Sequence, residues 1–162
     1  MPGFDGIDDF LKSSSRRLKD AEELMEQPSR DPNRSDASRR HLRGAMYLAG
    51  HAVECLVKAY LIEQEDRQSL RDAQVQINSR RQAKGQRLCN IGGSTQGHSI
   101  AFLLTLTDLA VRPGYEPNLW GRVANWNPYW RYDPSIPGRT EADEFVQDVR
   151  SALDWLLPKI MR

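Results

Sequence analysis

A run of apolar residues stepping alternately by four and three, Leu42, Met46, Ala49, Val53, Leu56 and Tyr60, constrains this chain more than any other feature. Only an α-helix keeps that spacing on one face. Ala45, Ala52 and Ala59 fall seven apart on an adjacent stripe, where small side chains let a neighbouring helix approach closely. The element is predicted to open after Ser35 or Asp36, either of which can accept free backbone N–H groups as an N-cap, and to run to about Gln64. Residues 45–62 are the most apolar part of the chain. His51, Glu54 and Lys58 interrupt them, so the segment does not read as membrane-spanning and no membrane association is expected. The first ten residues carry Asp5, Asp8 and Asp9 and no apolar signal-peptide core, which points to a cytoplasmic location.

Three further segments have helical periodicity, and none has the alternation of a half-buried strand. Ile7, Leu11, Leu18, Ala21 and Met25 define the first, which ends at Gln27-Pro28 with a turn predicted over 28–33. A short apolar helix is predicted from Ser99 or Ile100 to about Val111, stopped by Pro113-Gly114. The last opens at Thr140, with Asp143 as a capping-box-like acid, and carries Ala142, Val146, Val149, Leu153, Leu156 and Ile160. Residues 63–97 read as a polar insertion between the second and third core helices, partly helical at first and mobile towards its end. Residues 115–132 read as an irregular aromatic connector containing Pro117 and Pro128. The expectation is one all-α domain over 1–162, a four- to five-helix up-and-down bundle. At 162 residues such a core needs no disulfide or metal staple. Cys55 and Cys89 have no CxxC or His-rich neighbourhood, Cys55 reads as a core filler, and no metal or cofactor is expected. A net charge of +1 excludes a polycation that coats nucleic acid with its whole surface, while leaving room for a local basic patch.

Two constellations carry potential chemistry. Arg43, Tyr47, His51, Glu54 and Lys58 form a polar stripe on the spine helix, roughly opposite the apolar one. It reads first as a solvated face, and otherwise as a concave surface for a base or phosphate, or as a dimer seam. Tyr115, Trp120, Trp126, Tyr129, Trp130 and Tyr132 crowd the connector, with Arg122 and Arg131 among them. Large rings can plug the end of a bundle, and rings beside guanidinium groups also suit base stacking and phosphate contact. Residues 92–99 have the skeleton of a phosphate loop, but His98 stands where that motif needs Lys and no strand precedes it. No nucleophile–base motif is present, and the acids Glu141, Asp143, Glu144 and Asp148 suit the start of the last helix.

Residues 47–61, Tyr-Leu-Ala-Gly-His-Ala-Val-Glu-Cys-Leu-Val-Lys-Ala-Tyr-Leu, resemble the signature helix of HEPN (higher eukaryotes and prokaryotes nucleotide-binding) domains. The Gly-His-Ser around His98 before Leu103 and Leu104 is similar to that family's next helix. Arg131-Tyr132 with Pro134 is similar to its RY(P) element, apart from the inserted Asp133. The likeness covers about 39–61 and 98–157. It implies a helical bundle that commonly dimerises and acts as a ribonuclease of toxin–antitoxin and defence systems, as a partner of minimal nucleotidyltransferases, or as a nucleotide- or RNA-binding module. Ribonuclease members use an Arg-x(4–6)-His motif near the last helices, where His98 is the last of the three histidines and neither Arg122 nor Arg131 is followed by one. The formal match Arg34-x6-His41 lies at the start of the spine helix, outside that place. The resemblance therefore implies a non-catalytic, homodimeric nucleotide- or RNA-associated subunit, with a nucleotidyltransferase or another operon product as partner. Its candidate binding residues are Arg43, Tyr47, His51, Glu54, Lys58, Trp126, Trp130, Arg131 and Tyr132. Two alternatives stand beside it: a metal-independent ribonuclease using His51 or His98 with Arg43 or Arg131, and a structural helical adaptor.

Overall fold

The spine helix, α2 (Arg40–Gln64), is enclosed: every residue from Ala52 to Ile62 is buried. The computed structural model describes residues 5–26, 40–93, 95–133, 135 and 137–161. Among these the chain is all-α, with six α-helices and no strand. Helix α1 (Ile7–Glu26) lies along α2 and buries Ser14, Ala21 and Met25, and α6 (Arg139–Leu156) packs on α2 through a stripe that includes Ala142, Val146, Val149 and Leu153. Arg150 of α6 ties the two flanking helices together by donating to Glu22 at 2.6 Å. The predicted N-cap of α2 and the turn over 28–33 lie outside the described residues. A stretch of α2 from His41 to Gln64 is long and apolar enough to cross a membrane, but 83% of its most apolar window is buried inside the bundle. It is the core helix of the fold.

One helix gives the partly helical start of the insertion its limits, and another exceeds the sequence expectation. Helix α3 (Leu70–Ala83) opens on Ser69, whose hydroxyl accepts from the Asp72 N–H while donating to the Asp72 carboxylate. It closes on Gly85 at φ 67°, with the Gln86 N–H reaching back to the Arg81 carbonyl, a left-handed end that glycine adopts without strain. The chain then returns along α3 tied by side chains: the Asn78 amide pairs with both N–H and C=O of Cys89, and Gln74 accepts from the Ile91 N–H. Cys89 and Ile91 are buried anchors within the polar insertion. Helix α5 (Pro117–Ala124) occupies the connector read as irregular, because Pro117 stands at the helix start, where its missing N–H costs nothing.

Two boundaries also differ. Helix α4 (Ile100–Thr105) ends early, followed by a separate 3₁₀ turn at Leu109–Val111. The Gln64 side chain takes the place of the next turn, donating to the Leu106 carbonyl and accepting from the Asp108 N–H. Helix α6 starts at Gly138–Arg139 without a side-chain cap, and Asp143 pairs with Arg139 instead of closing a capping box with Thr140.

Candidate functional site

Tyr47, His51 and Glu54 stand at steps of four and three along α2 and face a cavity of about 310 Å³. Its second wall is set by Gly50. A Cβ there would lie 2.0 Å from the Trp126 ring, so only glycine admits the indole against the helix. Trp126 is buried, and its Nε1–H donates to the Tyr47 carbonyl at 3.2 Å. Beyond it, Asn127 caps a 3₁₀ turn, Pro128–Tyr132, which brings Tyr129, Arg131 and Tyr132 over the cavity. Arg131 lies over both tyrosine rings, its Cζ 5.7 Å from the centroid of Tyr47 and 4.9 Å from that of Tyr132. The third wall comes from the end of the insertion through Gly93, Thr95 and His98. Gly97 presses on the backbone of Ile91, where a Cβ would sit 2.6 Å from the carbonyl oxygen. That contact fixes the 3₁₀ turn Gln96–His98 and so aims His98 inward.

The cavity's chemistry centres on Glu54, whose side chain is 3% exposed. Its Oε1 accepts from Lys58 Nζ at 2.6 Å and lies 3.1 Å from His98 Nδ1, while its buried Oε2 has no partner. Lys58 is equally enclosed, so the charges compensate one another out of water. A carboxylate can only accept, so His98 donates its Nδ1–H to Glu54. Burial lowers the His51 pKa from its ordinary 6.5, with the Glu54 charge opposing the shift. Cys55 Sγ lies 3.7 Å from His51 Nδ1, but burial pushes this thiol up to about 12, so it supplies no thiolate near neutral pH.

The lowered His51 pKa has a sign that can be measured. Unfolded His51 takes up its proton near pH 6.5 and folded His51 only below that, so the unfolded state binds more protons in between. Stability should fall on acidification from about pH 7 to 5.5, and His51→Gln should make the loss shallower in thermal melts across that range. Equal slopes in the two proteins would refute the assignment.

Six of the nine candidate residues line the cavity: Tyr47, His51, Glu54, Trp126, Arg131 and Tyr132. Lys58 stands behind Glu54 and holds its carboxylate. Arg43 and Trp130 lie elsewhere. Arg43 donates to Ser135 Oγ at 2.8 Å and sits over the Trp130 ring, which meets Phe145 of α6 edge to face. The polar stripe is therefore not a solvated face, because Trp126 and His98, distant in sequence, cover its middle. The connector divides between its two readings. Tyr115 and Trp120 stack in parallel against Trp155 and plug the bundle, and Arg122 pairs with Asp148 of α6. Trp126, Tyr129 and Tyr132 serve the cavity. The described residues among 92–99 form no phosphate loop, since His98 turns to a carboxylate and Gly97 is packed on Ile91.

A larger groove of about 520 Å³ lies between α1 and α6, but Glu22, Glu26, Asp143, Glu144 and Asp148 line it, which repels a polyanion. Among the described residues no group of three or more His, Cys, Asp or Glu side chains is placed to hold a metal ion. The chain matches no family model, no curated protein and no solved structure, so the cavity has to be interpreted from its own residues.

Proposed function

We propose that the chain is a HEPN-like helical domain that binds single-stranded RNA or a nucleotide in this cavity without cleaving it. In this reading it is a cytoplasmic, homodimeric subunit of a prokaryotic toxin–antitoxin or defence-type system, working with a nucleotidyltransferase or another product of its operon. The observation that carries the binding reading is the convergence of aromatic walls, an exposed guanidinium and a buried carboxylate on one cavity. At about 310 Å³ it is at the small end of ligand sites, which span roughly 300–1,000 Å³. That suits one nucleotide and excludes a duplex. Exposed Tyr129 and Tyr132 offer faces to bases, and Arg131 at the rim offers a cation to phosphate.

The test is a mobility-shift titration with single-stranded RNA at low salt. Binding should weaken steeply as salt rises, because phosphate contacts release counterions. Arg131→Ala should lower affinity by about tenfold, the scale of one hydrogen bond to a charged group. Its melting temperature should not change, since Arg131 is exposed and no carboxylate among the described residues pairs with it. Absence of binding would leave the adaptor reading in its place.

The ribonuclease reading is favoured by one observation, that His51 and His98 line the same cavity. Two imidazoles there can share the work of cleavage, one taking the 2′-OH proton and the other protonating the departing 5′-oxygen. RNA cleavage by the purified protein, abolished by His51→Ala or His98→Ala, would establish it over the binding reading.

A further inference from the structure

We infer that the ligand is a single RNA strand that continues from the cavity onto the basic end of α3, and not a free nucleotide; this rests on the binding reading above. Charge is unevenly placed along the chain. Residues 67–93 carry six basic side chains and one acidic one, Asp72, an excess of five where the whole chain has a net charge of +1. The other residues are therefore net negative. Within the segment, Arg80 is committed to the buried Glu65 carboxylate and Arg67 to the Gln76 side chain. Arg81, Lys84 and Arg87 pair with no carboxylate among the described residues, and the last two are exposed. Arg81 Nε donates to the Arg87 carbonyl at 2.7 Å, which gathers the three around the turn at Gly85. A helix dipole favours cations in a last turn, which covers Arg81 and Lys84, but Arg87 lies past the end. Three like charges at one turn repel one another until an anion comes between them.

The backbone leads from this turn to the cavity. After Arg87 the chain runs back along α3, with Cys89 on Asn78 and Ile91 on Gln74, and reaches the cavity wall at Gly93. Arg87 and Gly93 are six residues apart, at most about 20 Å of extended chain. A stacked strand advancing about 3.4 Å per nucleotide covers that distance in about six nucleotides. Residues 88–93 include no acidic side chain to repel it. Asp72 sits at the opposite end of α3, bonded to Ser69 and next to the exposed Arg71.

The experiment titrates the full chain with a uridine tetramer and a uridine dodecamer by fluorescence anisotropy over a series of salt concentrations. Lys84→Gln/Arg87→Gln removes two exposed charges and keeps the Arg81 bond to the main chain. It should weaken dodecamer binding by about tenfold at low salt, the scale of a charge-assisted hydrogen bond. The slope of log affinity against log salt should become shallower by about 1.4, roughly 0.7 for each lost phosphate contact. Tetramer binding and the melting temperature should not change. Lys84→Arg/Arg87→Lys, which keeps both charges, should bind as the wild type does. Lys12→Gln/Lys19→Gln removes the same charge from the exposed face of α1 and should leave both oligomers unaffected. Equal losses in the two glutamine pairs, no loss in Lys84→Gln/Arg87→Gln, or a tetramer weakened as much as the dodecamer overturns the extension and leaves cavity binding intact. No binding of either oligomer by the wild type overturns both.

Discussion

Replacing Gly50 by alanine should cost about 3 kcal/mol or more of stability and abolish RNA binding together. The new methyl group would lie 2.0–2.3 Å from three atoms of the Trp126 ring, which is fully packed and hydrogen-bonded to α2. Overpacking a core costs typically about 1–3 kcal/mol, and an expelled indole forfeits burial of similar or larger size. For a chain of this length that corresponds to a fall in Tm of roughly 6–12 °C. Gly121→Ala is the internal control. Gly121 is also helical, in α5, but a Cβ there meets nothing within 4 Å. It should be neutral or stabilising by up to about 1 kcal/mol, the propensity gain of alanine over glycine. Equal effects of the two substitutions would show that the Trp126 seat is not what α2 reserves Gly50 for.

The buried pair gives the second large effect. Glu54→Gln leaves the Lys58 ammonium enclosed without its carboxylate, and Lys58→Met leaves the carboxylate with His98 alone. Breaking a buried ion pair from one side costs about 3–5 kcal/mol, because the survivor keeps its desolvation penalty. Glu54→Gln/Lys58→Met removes both charges and should recover much of that loss. Urea melts of the four proteins should therefore show the double variant more stable than Glu54→Gln alone. If the two single losses simply add, the charges are not coupled and the geometry is misassigned.

The spine helix was legible because a buried stripe at steps of four and three has one periodic solution. The same periodicity misled on the opposite face, where Glu54 and Lys58 read as solvent-facing because they are charged. Nothing local to α2 distinguishes a wet i,i+4 pair from a buried one. The difference is made by His98, 44 residues further on, and by Trp126, 79 residues from its Tyr47 partner. Gly50, one of two glycines in α2 with Gly44, is a local sign of a close approach on this face. Helix α3 falls in the half of the insertion expected to be partly helical, but its weak apolar periodicity left its limits, Ser69 at the cap and Gly85 at the end, unread. Helix α5 was missed because Pro117 was read as a breaker, whereas proline is tolerated at the first turn.

The most direct test of the central claim, that RNA engages this cavity, is an NMR titration of the full chain with a short single-stranded RNA. The Trp126 indole N–H and the ring protons of His51 and His98 would be followed alongside the backbone amides. The account predicts that the largest shift changes cluster at these rings and over residues 126–132, with Trp120 and Trp155 at the other aromatic cluster unmoved. Changes concentrated in the α1–α6 groove, or spread evenly over the surface with the three rings unaffected, would contradict it.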